Sequence, residues 1–271
     1  MKLPEATDDP AWSRLRAHDV EELWDHSLSP HIAASYRARV ELMSNIIQKL
    51  AGPGARLLDV GCAQGTLGLM AAERGVRVTL LDIRPENIAY ARSRLERGQV
   101  DFHVGLLSES CPPANDYDVV VCTEVLEHVP APSQFLASLT AKLRPGGALV
   151  LTTPNAEYVL AGLPTFGRAA QAVIDAAEPN SMDGDAHRYL YTREELIALA
   201  RGVGLKLEQH GFFLPAWLEG HLKTRLFHRL HYRVRKNIVS LPAELPSALG
   251  RRLCSSQYVV LRAPATAAER S

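Results

Sequence analysis

The sequence predicts an α/β fold: a seven-stranded, mostly parallel sheet with helices on both faces, N-terminal helices before it and a helical lid insertion near its end. Three observations predict it. Between residues 56 and 154 five short apolar runs alternate with helix-like segments, a glycine-spaced turn follows the first run, and Asp59, Asp82 and Glu124 stand at or near the ends of three runs. Strands joined in this way need crossover helices, and a sheet built from such crossovers is parallel and covered on both faces.

The elements follow in order. Residues 11–50 place Leu23, Trp24, Ile32, Tyr36, Val40, Met43, Ile46, Ile47 and Leu50 at helical spacings, which predicts a helical cap over residues 1–50. AGPGA at 51–55 stops it, and residues 51–271 read as one domain. Within that domain RLLDVG, VRVTLLD, VDFHV, DYDVVVCTE and ALVLTTP are the strands, with helices expected from Gly65 to Arg74, from Pro85 to Arg97 and up to Leu143. Residues 155–190 break the alternation and are expected to form an insertion over the carboxyl edge of the sheet. TREELIALARGVGL resumes a helix, with Thr192 as N-cap, Glu195 completing a capping box and Gly204 as the stop. LKLEQHGFF and SSQYVVLRA supply the last two strands, separated by a second insertion of helical character at 213–250.

Composition narrows the class. With 271 residues and 46% hydrophobic content the chain can bury a sizeable core. Thirty Lys and Arg balance thirty Asp and Glu, so no overall field steers the protein towards nucleic acid or an anionic membrane. Cys62, Cys111, Cys122 and Cys254 show no CxxC spacing and are too scattered for a disulfide framework, which favours reduced thiols in a cytosol. The N-terminus carries acids and prolines where a signal peptide needs a basic start and an apolar run, and no stretch approaches ~18 consecutive apolar residues. A soluble, cytoplasmic protein is expected.

LLDVGCAQGTLG sets Gly61, Gly65 and Gly68 between a strand and a helix, so that backbone amides and a helix N-terminus meet a ligand without side chains between. The spacing is GxxxGxxG, with Ala63 where the dinucleotide fingerprint has its second glycine, which counts against a nicotinamide-dependent oxidoreductase. Asp82 closes the second strand beside this turn, where it either accepts both hydroxyls of a ribose or caps the helix that begins at Pro85.

DVGCAQG, then LLDI, then EVLEHVPAPSQFLASLTAKLRPGGALVLTTPN together resemble the class I S-adenosylmethionine-dependent methyltransferases, a Rossmann-like family, over roughly residues 50–155. The resemblance implies that Asp59, Gly61, Cys62, Ala63, Gln64 and Gly65 surround the methionine part of the cofactor. By the same likeness Asp82 holds the ribose, Ile83 packs on the adenine, and Thr123 and Glu124 lie beside the sulfonium. Members of the family often carry an acid after the third strand; this chain has Gly105-Leu106-Leu107 there, which leaves the adenine hydrogen bond without an evident acceptor. Tyr36, Trp24 and His31 are candidates to cap the cofactor.

Glu124, Glu127 and His128 follow the fourth strand at i, i+3 and i+4, one face of a turn if the loop winds helically. Two carboxylates and an imidazole suit Mg2+ or Mn2+ better than a structural zinc ion. With His187 from the DGDAHRYLYTREEL stretch, the set resembles the metal-dependent enzymes that methylate the terminal ribose 2′-hydroxyl of small RNAs, and equally the ubiquinone-pathway O-methyltransferases. On that reading Glu124, Glu127, His128 and His187 are metal ligands; on the other, His128 is a metal-independent general base with Glu124 beside the reacting group. The expected function is O-methylation of a small-molecule or glycan hydroxyl, with methylation of RNA 3′ ends and nicotinamide-dependent redox chemistry as alternatives.

In WLEGHLKTRLFHRLHYRVRKN, residues 217–237, leucines recur every four residues among Lys and Arg. Such a helix either contacts a membrane surface or an anionic acceptor such as RNA, or packs its leucines on the domain and leaves its charges solvated.

Overall fold

In a computed structural model that describes residues 1–25, 27–108, 112, 116–169, 188–215 and 244–265, the chain begins with α1 (Pro10–Asp19). Asp9 caps it by accepting from the amides of Ala11 at 2.8 Å and Trp12 at 3.3 Å, which satisfies donors that a helix start leaves open. A π-helical turn at Val20–Trp24 leads to α2 (Pro30–Leu50). Proline is the first residue of α2, where its missing N–H would have had no partner.

The predicted alternation follows as β1 (Arg56–Val60), α3 (Thr66–Ala72), β2 (Arg77–Asp82), α4 (Pro85–Arg94), β3 (Gln99–Val104), β4 (Tyr117–Thr123), α5 (Pro132–Lys142) and β5 (Leu143–Pro154). After the insertion come α6 (Arg193–Gly202), β6 (Lys206–Pro215), β7 (Glu244–Leu245), α7 (Ser247–Leu253) and β8 (Cys254–Arg262). The strands form one sheet in the order β3-β2-β1-β4-β5-β8-β6-β7. β1 to β5 pair in parallel; β8 runs antiparallel to both β5 and β6.

The sequence predicts seven strands, and the described residues hold eight. The extra one, β7, is two residues long and pairs with Phe212 and Phe213 at the sheet edge. α4 ends at Arg94 rather than at Arg97, because Leu95 is already extended and the chain turns sharply at Gly98. A Cβ at Gly98 would stand 2.6 Å from the Ala72 carbonyl oxygen, so only glycine fits that approach.

Strand alternation explains the two-sided core. On β4, Val119 and Val121 face a cluster that includes Met43 and Ile47 of α2, Leu69 of α3 and Ile88 of α4. Val120 and Cys122 face the other cluster, with Leu136 and Leu139 of α5 and Leu196 of α6. A fully buried leucine or valine contributes roughly 1.5–3 kcal/mol, so these central strands are strongly specified by their burial on both faces.

The capping box of α6 forms as the sequence predicts. Thr192 Oγ1 accepts from the Glu195 amide at 3.2 Å, and Glu195 Oε2 accepts from the Thr192 amide at 2.8 Å. Of the insertion at 155–190, residues 155–169 and 188–190 are described, bridging through Asn155 to Tyr191 and Thr165 to Leu190. The 217–237 stretch and His187 lie outside the described residues. Among the described residues no helix is long and apolar enough to cross a membrane.

Candidate active site

The turn after β1 is shaped by its main chain. Gly61 N and Cys62 N donate to the Leu81 carbonyl at 2.8 and 3.2 Å, and Gly65 N closes the turn on the Cys62 carbonyl at 2.8 Å. Gly61, Ala63 and Gly65 all have positive φ, at 69°, 48° and 73°. A Cβ on Gly61 would meet Val125 Cγ2 at 2.5 Å, so glycine here lets the turns after β1 and β4 touch. Ala63 occupies a left-handed conformation that glycine usually takes, held there by its N–H on Asp82 Oδ2 at 2.9 Å.

Asp82 is enclosed, with Oδ1 accepting from the Arg84 amide at 2.9 Å and from Asn87 Nδ2 at 3.1 Å. Asp82 does not cap α4, whose N-cap is Arg84 with no side-chain bond; three of the roughly four acceptor positions of its carboxylate are used, which leaves room for one further donor. Asp59, 2% exposed, is pushed up to about 7, chiefly by burial and further by Asp82, with the Gly68 amide opposing. Burial also pushes the Cys62 and Cys122 thiols well up, which keeps them protonated and unreactive.

A pocket of about 230 Å³ opens above this turn. Of the predicted residues, Asp59, Gly61, Cys62, Ala63, Gln64, Thr123 and Glu124 line it, whereas Gly65, Asp82, Ile83, Glu127 and His128 do not. Gly65 shapes the turn as the left-handed N-cap of α3, and Asp82 supports it from beside. Tyr36 lines the pocket; Trp24 is 45% exposed and stands outside its lining, and the His31 side chain is outside the description. Arg39, Val40, Thr66 and Leu67 also line it and were not foreseen. Their signal was present: Arg39 and Val40 follow Tyr36 at i+3 and i+4, the spacing of one helix face.

The loop after β4 departs from the predicted helical turn. Glu124 takes a left-handed φ of 53°, and only Leu126–His128 winds as a 3-10 turn. Glu124 Oε1 therefore accepts from Thr152 Oγ1 at 2.8 Å, while Glu127 Oε2 accepts from Thr153 Oγ1 at 3.2 Å. Thr152 and Thr153 are successive residues of a strand, so the two carboxyls are anchored on side chains that leave opposite faces of β5. Glu127 is fully enclosed, and burial with the nearby Glu124 charge pushes its carboxyl well above the usual range. His128 is half-buried. Among the described residues no group of three His, Cys, Asp or Glu gathers so as to hold a metal ion; His187, the fourth expected ligand, lies outside them.

A segment distant in sequence holds this loop. Arg188 N donates to the Glu127 carbonyl and Arg188 Nε to the His128 carbonyl, both at 3.2 Å. Tyr191 OH donates to the Leu126 carbonyl at 3.3 Å, and Tyr189 OH to the Val129 carbonyl.

The family model described as Methyltransferase domain matches residues 33–210, well over half of the chain. The chain belongs to this family. It is a class I S-adenosylmethionine-dependent methyltransferase. A ubiquinone biosynthesis O-methyltransferase of Xanthomonas axonopodis pv. citri is 34% identical to this methyltransferase over 198 residues, 71% of this chain and 76% of the relative. One of Xylella fastidiosa strain M23 is 34% identical over 194 residues, 68% of this chain and 74% of the relative. Magnesium protoporphyrin IX methyltransferase from Synechocystis PCC 6803, solved with S-adenosylhomocysteine, superposes with a TM-score of 0.56 at 13% identity, covering 94% of this chain and 95% of that one. The [4+2]-cyclase SpnF superposes with a TM-score of 0.52 at 16% identity, covering 85% and 83%. These structures establish the fold alone, and the cyclase shows that the fold by itself does not fix the reaction. The nicotinamide alternative is set aside by membership of the methyltransferase family.

Proposed function

We propose that this methyltransferase transfers a methyl group from S-adenosylmethionine to a hydroxyl of a small molecule, an acceptor of the kind made in ubiquinone biosynthesis. The observation that carries this reading is the junction of the two turns. The glycine turn and the end of β4 contribute to one pocket, lined by Gly61–Gln64 from the first and by Thr123 and Glu124 from the second. Ligands of open α/β sheets sit at this carboxyl edge. A strained, left-handed Glu124 fits a functional turn, since such backbone is held only where the surroundings enforce it.

The cofactor's methionine end lies against Asp59, Gly61, Cys62, Ala63 and Gln64, where the turn offers backbone amides. Arg39 supplies the positive charge for its carboxylate. Asp82 uses its remaining acceptor capacity on a ribose hydroxyl, and Ile83 packs on the adenine. Bound there, S-adenosylmethionine supplies an electrophilic sulfonium methyl. Positioning of the acceptor oxygen behind that carbon provides most of the rate, and removal of one proton the rest. His128 takes the hydroxyl proton, because an imidazole titrates near the working pH. Glu124, anchored by Thr152, borders the reacting group.

Glu127 is fully enclosed and is not among the residues that line the pocket, so the reading gives it no contact with the acceptor and routes no step through a metal. The RNA and membrane readings rested on His187 and on residues 217–237, and the glycan reading gains no support from the relatives, so none is carried further.

The test is transfer of radiolabelled methyl from S-adenosylmethionine to a panel of hydroxylated aromatic rings, sugars and short RNAs, each with and without a chelator. Methylation of the ring hydroxyls that survives the chelator is expected. Labelling of sugars or RNA alone, or activity abolished by the chelator and restored by Mg2+ or Mn2+, would overturn the reading.

A further inference from the structure

Arg94, the last residue of α4, is wholly buried although its guanidinium is charged at any pH a protein meets. The transfer reaction gives it no role. Its Nη1 donates to the Gln64 carbonyl at 2.7 Å and to Thr66 Oγ1 at 2.9 Å, while Nη2 pairs with Asp19 Oδ1 at 3.0 Å. Gln64 and Thr66 line the cofactor pocket, so Arg94 stands directly behind its wall. Asp19 ends α1, and its other carboxylate oxygen accepts from Tyr90 OH at 3.1 Å. Trp12 of α1 meets the Tyr90 ring edge to face, with centroids 5.1 Å apart. From the pocket side, Tyr36 OH donates to Thr66 Oγ1 at 3.0 Å, so α2 grips the same hydroxyl.

One buried cation thus ties three segments far apart in sequence: the first helix, the end of α4 and the turn that receives the cofactor. An ion pair so enclosed adds little net stability, because desolvation offsets the attraction. What it fixes is geometry. The fork shape of the guanidinium lets one side chain hold a carbonyl, a hydroxyl and a carboxylate at once, which a lysine ammonium on a single point cannot do equally well. The turn it braces contains two departures from right-handed backbone on either side of Gln64, at Ala63 and Gly65, and such a turn needs outside support to keep one shape.

We propose that Arg94 is a positioning residue for the cofactor: held by Asp19, it keeps Gln64–Thr66 in the form that receives the methionine end of S-adenosylmethionine, and so couples the docking of α1 to cofactor affinity. The inference rests on the assignment of this turn to the cofactor. Coupling between sites is reciprocal, so cofactor binding must also tighten α1. A residue that merely stabilised the fold would give no such linkage.

The experiment is hydrogen exchange and calorimetry on the full chain with and without S-adenosylhomocysteine, for the wild type, Arg94→Lys, Arg94→Met and Asp19→Asn. In the wild type the ligand slows exchange over residues 10–24. In Asp19→Asn and Arg94→Met that slowing is lost and the Kd rises about tenfold, within the usual range of coupling between sites. Arg94→Lys falls between, and the kinetic loss appears in KM for S-adenosylmethionine rather than in kcat. Should Arg94→Met fail to fold, Arg94→Lys and Asp19→Asn keep the side-chain volume and carry the test. A folded Asp19→Asn or Arg94→Lys protein with Kd within twofold of wild type overturns the latch, as does wild-type exchange over 10–24 that ignores the ligand. Absence of S-adenosylhomocysteine binding by the wild type instead overturns the cofactor assignment and the latch with it.

Discussion

The turns after β1 and β4 lie side by side, because the two strands pair in parallel, yet they are held in opposite ways. The first is fixed chiefly through its own amides of Gly61, Cys62, Ala63 and Gly65, received by its own chain and the neighbour strand, with the Arg94 guanidinium bracing it from behind. The second is fixed by side chains that arrive from elsewhere: Thr152, Thr153, Arg188, Tyr189 and Tyr191. Their enclosed carboxyls differ as well. Burial dominates both: Asp59, with the Gly68 amide opposing, is pushed to about 7, whereas Glu127, opposed by its own amide and by the Thr153 hydroxyl, is pushed well up by burial and the Glu124 charge. A backbone amide presents its positive end and favours the ionised form, but at Glu127 burial and the neighbouring Glu124 charge outweigh it. The main-chain cradle suits binding of a charged ligand, and the side-chain strap suits fine placement of a reactive group.

The sharpest way to break this contrast is His128→Ala. Loss of a positioned base lowers kcat by roughly 10²- to 10⁴-fold, and because the first turn does not depend on the second, affinity for S-adenosylhomocysteine stays within about twofold. Calorimetry beside steady-state rates checks both halves. If affinity falls in step with kcat, the two turns are one unit and the contrast is void.

The Asp59 carboxyl sharpens it next, through pH. Burial pushes it up to about 7 in the folded chain against 3.8 for an aspartate in water, so between those limits the folded state binds the extra proton. Stability is then greatest below about pH 4 as far as this group is concerned, and is lost as pH rises to about 7, by up to roughly 4 kcal/mol. Glu22, pushed to about 7 by burial and Asp19, contributes with the same sign. The measurement is accordingly the difference in Tm between wild type and Asp59→Asn from pH 5 to pH 8, which narrows as the wild type loses its proton. A difference that stays flat across this range shows that Asp59 is ionised when folded.

Asp82→Ala has a smaller and more local effect. It removes the acceptor that holds Ala63 N and the carboxylate offered to the ribose, charge-assisted bonds of about 1.5–3 kcal/mol each, so affinity for S-adenosylhomocysteine falls by roughly 10- to 100-fold. His128 placement should be untouched, and single-turnover kcat at saturating cofactor tests that. A collapse of the single-turnover rate at saturation would join Asp82 to the second turn.

The same contrast decides what could be read from the sequence. Gly61, Gly65, Ala63 and Asp82 announce the first turn because its chemistry is local: glycine positions, a strand end and a neighbouring strand end. Thr192 and Glu195 announce their capping box for the same reason. The second turn was legible in residue type but not in geometry, since nothing in a glutamate reveals that Glu124 will sit at a φ of 53°. Tyr189 and Tyr191 act on carbonyls 60 and 65 residues away, and Arg94 joins residues 28 and 30 positions earlier to Asp19. Such contacts depend on the folded topology, which single-sequence periodicity does not carry. β7 escaped because two residues set no period.

The smallest effect tests whether the first turn's shape belongs to the backbone rather than to its side chains. Ala63 holds a φ of 48°, which an alanine adopts at a penalty of about 1 kcal/mol and glycine at none. Ala63→Gly relieves that strain, while the freer unfolded chain takes back roughly 0.4–1 kcal/mol, so the net change in stability is under about 1 kcal/mol of either sign. The Ala63 amide still reaches Asp82, and the cradle keeps its donors, so S-adenosylhomocysteine affinity stays within about threefold. Urea titration and calorimetry on the same preparation give both numbers. A much weaker ligand complex in a protein of unchanged stability would mean that the Ala63 methyl itself packs on the cofactor, and that the cradle works through a side chain after all.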